Sequence, residues 1–384
     1  MNAYLSLAGF YTFYFATLGI WMPYWPLYMA HIGHGAAAIG MVTSLSMAIK
    51  LLGPPIWGRL ADRSDSRKTI ILTTSAGALA SSGLFYLSND LAIITIAVAS
   101  LHFFLVGCIA LVETTAMETV TRHHWDYGRI RLWGSAGFIL LALGLGPLAD
   151  HWGLMLVPLA ISLFQLLQTL IASQLPEAEP KPGGPPCQPY RLFGPRKILW
   201  FNLMGLFMLL SHGAYYGFMS IHLEANGFSK TAIGALWALG VLAEIAILAQ
   251  SNAILKRFSV SAILITTLLL AATRWTIYSL TLTWPWLILG QVLHAFTFGA
   301  FHIAAIRRVY DTSHPNHRAT AQSWFSAISY GAGLGGGLLL AGGLYNRIGA
   351  QSLFALMAVM ALLGSLAALY SARLFNLDTS KMPS

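Results

Sequence analysis

Gln174-Leu175-Pro176-Glu177-Ala178-Glu179-Pro180-Lys181-Pro182-Gly183-Gly184-Pro185-Pro186-Cys187-Gln188-Pro189-Tyr190-Arg191-Leu192-Phe193-Gly194-Pro195-Arg196-Lys197 is the longest polar stretch of the chain. Its seven prolines and its glycine pair rule out a packed element, so it reads as a linker. Six apolar runs precede it, at about 4–29, 37–58, 69–88, 91–119, 132–149 and 153–173. Six follow, at about 198–222, 230–252, 259–281, 285–308, 320–344 and 349–372. A hydrocarbon core of about 30 Å needs roughly 20 apolar residues per helix, so each run reads as a membrane span. Connections such as Asn89-Asp90 and Asp150 to Trp152 leave room only for up-down hairpins. The expected fold is an all-α membrane protein of twelve transmembrane helices in two pseudo-symmetric six-helix bundles. Residues 1–173 form one bundle, 174–197 a cytoplasmic linker, and 198–384 the second bundle with a short cytoplasmic tail.

Composition excludes other classes. Of 384 residues, 57% are hydrophobic and 9% charged, against roughly 45–50% and about 25% in soluble domains. So few charges cannot clothe a soluble globule, which disfavours a soluble enzyme, a disordered chain and a nucleic-acid-binding module. Cys108 and Cys187 lie in an apolar run and in the linker, with no disulfide or metal-ligand spacing. No nucleophile motif, metal cluster or phosphate loop stands out. The reading is therefore not an enzyme, with no cofactor and no metal. The first run, Tyr4 to Met29, is too long for a signal-peptide core and reads as a retained span.

Basic residues set the orientation. With the N-terminus cytoplasmic, eighteen of the 22 Lys and Arg fall on the cytoplasmic side, and only Lys230 and Arg347 fall outside. Lys50 and Arg274 lie inside spans. The net charge of +9 thus marks topology and not a nucleic-acid surface. Both termini are expected in the cytoplasm.

The halves repeat. Gly33, Ala38, Ile39 and Gly40 return 194 residues later as Gly227, Ala232, Ile233 and Gly234. The same offset carries Arg63 onto Arg257 and Lys50 onto Glu244, so spans 2 and 8 hold charges of opposite sign at matched depth. Leu101-His102-Phe103-Phe104 matches Leu293-His294-Ala295-Phe296 at offset 192.

The loop Gly58-Arg59-Leu60-Ala61-Asp62-Arg63-Ser64-Asp65-Ser66-Arg67-Lys68 resembles the signature loop of the major facilitator superfamily. The resemblance implies a gating role for Gly58, Asp62 and Arg63, with the Asp62 carboxylate capping a helix end and pairing with an Arg across the two halves. Such a bond can break in each cycle. The bland alternative is a solvated charged loop.

Charges within spans cost at least about 2.5–3.5 kcal/mol and are usually paired or functional. They are Lys50, Glu113, Glu118, Glu244 and Arg274, with His102, His212, His294 and His302, and Arg131 at the mouth of span 5. Glu113 and Glu118 face different sides of span 4; Glu118 belongs to a loop ion-pair network. His294 and His302 are two turns apart, on roughly one face. His102 reads as a core histidine. Trp21, Trp25, Trp152, Trp284 and Trp286 read as interface anchors. Trp237 and Trp275 either stack on a substrate ring or pack the core. The glycines of span 11, Gly331 to Gly335 among them, allow close helix packing or a bend.

The junction Asp126-Tyr127-Gly128-Arg129-Ile130-Arg131-Leu132-Trp133-Gly134-Ser135 resembles the span 4–5 junction of the lactose permease and its oligosaccharide and nucleoside relatives. That likeness implies a substrate pair in Glu113 and Arg131. Further likeness, to the bacterial 3-phenylpropionate permease family, runs through Ala214-Tyr215-Tyr216-Gly217-Phe218, Leu236 to Glu244, Arg274-Trp275 and the His294/His302 pair. It implies substrate contact and proton coupling by Glu244, Arg274 and His294. Lactose permease carries a coupling carboxylate one turn after the span 10 histidine; here Thr297 stands in its place. Proton carriage then falls on Glu244, Glu113, His294 or His302.

The expected function is proton-driven uptake of a small organic solute in a bacterial inner membrane, by a monomer. An aromatic carboxylate such as 3-phenylpropionate comes first, its anionic end held by Lys50, Arg131 and Arg274 and its ring by Trp237 or Trp275. A sugar or nucleoside symporter comes next. Gly137, Gly146 and Pro147 partly follow an antiporter pattern, which keeps proton-driven efflux as a rival. A non-transporting scaffold has no reason to bear the buried charges.

Overall fold

Polar residues in short loops start five of the helices. In each case a side-chain oxygen accepts an amide that the first turn leaves free. Asn2 caps Tyr4 at 3.0 Å, Ser66 caps Thr69 at 3.2 Å, Asp90 caps Ala92 at 2.8 Å, Asp126 caps Gly128 at 2.7 Å and Ser259 caps Ala262 at 3.2 Å. The helices before the linker are α1 (Ala3–His31), α2 (Ala36–Asp62), α3 (Arg67–Gly83), α4 (Leu91–His123), α5 (Tyr127–Trp152) and α6 (Leu156–Ala172). After it come α7 (Arg196–Ser211), α8 (Gly213–Ala225), α9 (Lys230–Ala249), α10 (Ser251–Arg257), α11 (Val260–Leu280) and α12 (Trp284–His294). The last are α13 (Phe301–Thr312), α14 (Arg318–Ser326) and α15 (Gly335–Thr379). π-helical segments, Ala295–Ala300 and Ala327–Leu334, join α12 to α13 and α14 to α15.

The computed structural model describes residues 2–64, 66–177, 196–314 and 317–379, without the side chains of Asp62, Ala319 and 376–379. Residues 178–195 of the expected linker, Cys187 among them, lie outside the described residues. So does the carboxylate of Asp62. Among the described residues there is no strand, and ten helical stretches are long and apolar enough to cross a membrane. One of them, Thr320–Phe375, breaks at Gly349, and the 17-residue α6 is apolar but shorter.

The internal repeat is written into the backbone. Only four glycines take a left-handed φ among the described residues: Gly33 at 94°, Gly227 at 84°, Gly153 at 84° and Gly349 at 76°. Gly33 and Gly227 are 194 apart, Gly153 and Gly349 196 apart, so each half turns two hairpins at matching places. Helix crossings repeat as well. A Cβ on Gly137 would overlap the Thr12 backbone of α1, and one on Gly333 would overlap Leu206 of α7. One on Gly19 would overlap the Phe138 backbone, and one on Gly213 that of Gly337. The span 11 glycines Gly333 and Gly337 therefore serve close packing.

The described residues sort into two compact units. The first falls within Met1–Gly184 and Ser220–Ala238, the second within Pro185–Met219 and Leu239–Ser384. In the first unit the end of α5 holds the start of α9. Asp150 accepts the amides of Lys230 (2.8 Å) and Thr231 (2.9 Å) and the Thr231 hydroxyl (2.7 Å). Tyr24 donates to the Ala142 carbonyl at 2.6 Å, and Gly234 leaves room for that contact.

One expectation about α1 fails. Trp21 and Trp25 are 5% and 0% exposed, stacked at 4.3 Å, with Trp21 edge-on to His102 at 4.4 Å. They are core residues and not interface anchors, because α1 is packed on most of its circumference. Trp152, Trp284 and Trp286 are about half exposed, as interface anchors would be.

Candidate functional site

Two clusters of polar side chains form inside the helical units. In the first, α4 supplies Glu113 and the start of α5 supplies Tyr127 and Arg131. Tyr127 donates to Glu113 Oε2 at 3.1 Å, and Arg131 Nε stands 4.0 Å from Glu113 Oε1. The Arg131 guanidinium lies 3.9 Å above the Phe15 ring and 5.7 Å from Tyr11. Both members of the ion pair are partly open, at 44% and 35% side-chain exposure. The eighteen-residue spacing does bring Glu113 and Arg131 together. Tyr127, one turn before Arg131, is the partner that sequence reasoning missed.

Glu118 belongs elsewhere. Its carboxylate takes Arg67 Nη1 at 2.8 Å, which ties α4 to the loop after α2. Ser66 of the same loop donates to Glu177. The signature loop is thus held by Arg67 and Ser66 among the described residues. Arg63 is exposed at the end of α2, and a Cβ on Gly58 would meet open space.

Lys50 is half-buried in α2. His102 is 2% exposed; its Nδ1 lies 3.1 Å from the Val98 carbonyl, and its Nε2 has no partner. Half of its hydrogen bonding is thus that of a core histidine.

The second cluster is deeper. Arg274 of α11 is completely buried, and among the described residues it makes no ion pair. Its Nη1 lies 3.0 Å from His294 Nδ1 and 3.4 Å from Thr297 Oγ1. Its Nε and Nη2 make no hydrogen bond of full geometry, and the Tyr215 and Tyr278 hydroxyls are the groups that interact with the guanidinium. Aromatic rings enclose the guanidinium, with centroids at 4.2 Å (Tyr215), 4.6 Å (Trp275) and 5.5 Å (Tyr278). Such faces favour a cation without neutralising it. More polar atoms nearby lack partners: His212 Nε2 and Gln291 Nε2. Gln291 Oε1 accepts the Tyr215 hydroxyl at 3.0 Å. Buried polar groups without full hydrogen bonding thus gather around this cation.

The chemistry of this cluster assigns the His294 tautomer. A guanidinium only donates, so Nδ1 facing Arg274 must accept, and the proton sits on Nε2. That Nε2 points at Glu244 Oε2, 3.9 Å away. His294 thus stands between Arg274 on its Nδ1 side and Glu244 on its Nε2 side. Small residues allow the approach: a Cβ on Gly299 would crowd Glu244, and one on Gly240 would crowd Gln291 and His294. His294 ends α12 at the π segment that contains Thr297, and such segments often accompany functional sites.

The remaining sequence candidates separate. His302 pairs with the Tyr330 hydroxyl at 3.1 Å and not with the Arg274 cluster, since the π segment intervenes between the two histidines. Trp275 donates to Ser211 at 3.1 Å, and Trp237 to Ser220 at 3.0 Å; both indoles are buried. His212, one of the histidines within spans, joins this cluster, while Tyr215, Tyr278 and Gln291 carry no charge to mark them in the sequence. Among the described residues no group of His, Cys, Asp and Glu has metal-site geometry.

Comparisons agree with this architecture. The profile of the MFS_1 like family matches residues 4–356. The "Probable 3-phenylpropionic acid transporter" of Escherichia coli (strain K12) is 29% identical over 351 residues, covering 89% of this chain and 90% of the relative. The maltose permease of Geobacillus stearothermophilus is 27% identical over 363 residues, covering 90% and 89%. The crystal structure of the nucleoside transporter NupG superposes with a TM-score of 0.83 at 17% identity, over 97% of this chain and 99% of that one.

Proposed function

The chain belongs to the MFS_1 like family, and from that premise we propose that it imports a small organic anion together with a proton. It is a membrane transporter of a small molecule and not an enzyme. The observation that carries the proposal is Arg274: a fully buried guanidinium with no carboxylate partner among the described residues and two nitrogens in no hydrogen bond of full geometry, ringed by aromatic faces. A carboxylate offers two acceptors to those nitrogens, and an attached ring suits the aromatic walls. The relative named for 3-phenylpropionic acid makes that compound the first candidate.

Coupling follows from the tautomer. A substrate carboxylate that draws the Arg274 N–H groups to itself releases His294 Nδ1. The freed nitrogen takes a proton, and the imidazolium pairs with Glu244. The anion and the proton then enter the site together, which is the thermodynamic requirement for symport. His302 holds Tyr330 at the far end of the π segment and stands outside this step. In the same reading twelve helices cross a bacterial inner membrane, with α6 and the two arms of α15 about Gly349 counted as spans. Both termini are cytoplasmic, and the protein works as a monomer.

A second reading rests on Glu113, Tyr127 and Arg131. That cluster is partly open and pairs an acceptor with donors, which suits hydroxyl groups. It favours a sugar or nucleoside, in line with the maltose permease relative.

The test is substrate-evoked proton movement in proteoliposomes, with phenylpropionate, maltose and nucleosides compared. Proton entry with phenylpropionate, absent in Glu244→Gln and in His294→Ala, supports the coupling scheme. Phenylpropionate uptake without proton movement overturns it. Response to maltose alone, lost in Glu113→Gln, transfers the function to the second reading.

A further inference from the structure

A groove of about 260 Å³ opens on the second unit where α10, α11 and the first π segment meet. Its walls include Ile254, Phe258, Ala262, Ile263, Leu270 and Phe296. Thr266 and Thr267 are its polar side chains, and the Thr267 hydroxyl is already donated to the Leu264 carbonyl at 3.0 Å. The groove shares no residue with the Arg274 cluster and holds no charge. From Ala262 to Leu270 it runs about 12 Å along α11, a length that suits an alkyl chain lying against the helix. Phe258 and Phe296 are 52% and 36% exposed, so the groove is open to what surrounds the helices, which in a membrane is lipid.

One end of the groove is charged. Ile254 and Phe258 bracket Lys256 and Arg257, both exposed, and the Arg257 guanidinium sits 5.7 Å from the Phe258 ring. Arg308 reaches the neighbouring turn, where its Nη2 donates to Ser261 at 2.5 Å. No Asp or Glu occurs between Ser251 and Leu280, the stretch that carries Lys256 and Arg257, while Arg308 has Asp311 beside it. This end lies on the side that carries most of the basic residues.

We propose that this groove is a binding site for an anionic phospholipid, with one acyl chain along α11 and the head group on Lys256 and Arg257. An apolar slot ending in uncompensated cations matches an amphiphile with a negative head, and basic pockets on the cytoplasmic side of membrane helices bind such lipids. A neutral phospholipid gains the slot and not the charge. Arg257, which stacks on Phe258, links head-group binding to the wall of the slot. The site is separate from the substrate chemistry and stands whatever the solute is.

Photolabelling of the full-length protein in phosphatidylcholine vesicles tests it. The probe is phosphatidylglycerol with a diazirine on its acyl chain at a low mole fraction; the control is phosphatidylcholine with the same chain. Each basic residue near a head group contributes about one kcal/mol, so two predict roughly 30-fold preferential labelling. The label is expected on Phe258, Ala262 and Phe296, and the preference is expected to vanish in a Lys256→Gln/Arg257→Gln variant. Both changes are on exposed side chains, and a single gel-filtration peak verifies the fold. Equal labelling by the two lipids, a preference unchanged in the variant, or label absent from the groove overturns the proposal. So do cross-links between two copies of the protein at Phe258, which would make the groove a self-association face.

Discussion

Removing the Asp150 carboxylate tests how the start of α9 is held. The four amides that open this helix are all satisfied: Lys230 and Thr231 by Asp150, Ala232 by Ser229 Oγ at 3.1 Å, and Ile233 by the Ser229 carbonyl at 3.0 Å. Asp150→Ala strips the first two of their acceptor and removes a negative charge from the positive end of the helix dipole. Loss of a cap costs about 0.5–2 kcal/mol, and loss of the charge about 0.3–1 kcal/mol. Asp150 is exposed, so water screens the charge and recovers part of the amide bonding. A net value near about 1.4 kcal/mol is a tenfold change in local opening. Hydrogen exchange by mass spectrometry reads it directly: a peptide spanning 229–236 should exchange about tenfold faster in Asp150→Ala. Asp150→Asn keeps an acceptor oxygen without the charge and should give about threefold. Exchange within twofold of wild type in the alanine variant would refute the reasoning, because it would mean that the bonds from Asp150 carry no weight in closing this end.

Other outcomes follow from the geometry. Arg274→Lys keeps the charge and loses the planar fork, so carboxylate affinity should fall by about 10- to 100-fold, measured by calorimetry in detergent. Gly213→Leu and Gly333→Leu force side chains into backbone at the α7 crossing and should lower the melting temperature or abolish the folded yield, while Gly336→Ala, placed in open space, should be silent. Arg67 and Glu118 are only 16% and 19% exposed, so a double-mutant cycle on thermal stability should return a coupling of about 1–2 kcal/mol, above that of a surface pair.

Much of the protein is legible in its sequence for a physical reason. A bilayer leaves no water for backbone groups, so a long apolar run has little choice but a helix. Asp90, Asp126, Ser66 and Ser259 stand in loops and become caps, as their short oxygen-bearing side chains dictate. The offset of 194 that relates Gly33 to Gly227 reappears as two left-handed turns. The separation of Glu118 from Glu113 was also within reach, because a five-residue spacing along one helix turns them to different sides; the pairing of Glu113 with Arg131 is implied by the resemblance of the span 4–5 junction.

Tertiary packing decided the rest. Hydropathy gives Trp21 and Trp25 the look of interface anchors, and only the burial of α1 makes them a stacked core pair. Spacing alone puts His294 and His302 on one face; the π segment between them and the partners available on neighbouring helices send one to Arg274 and the other to Tyr330. Tyr278 follows Arg274 by one turn of α11, but nothing local marks Tyr215 or Gln291 as the surroundings of a buried cation, since they come from α8 and α12 and meet it only when those helices pack. Apolar length and loop chemistry are properties of a segment and survive in the sequence by themselves. The environment of a charge is a property of several segments at once, and it exists only after the helices have found their rotations and contacts.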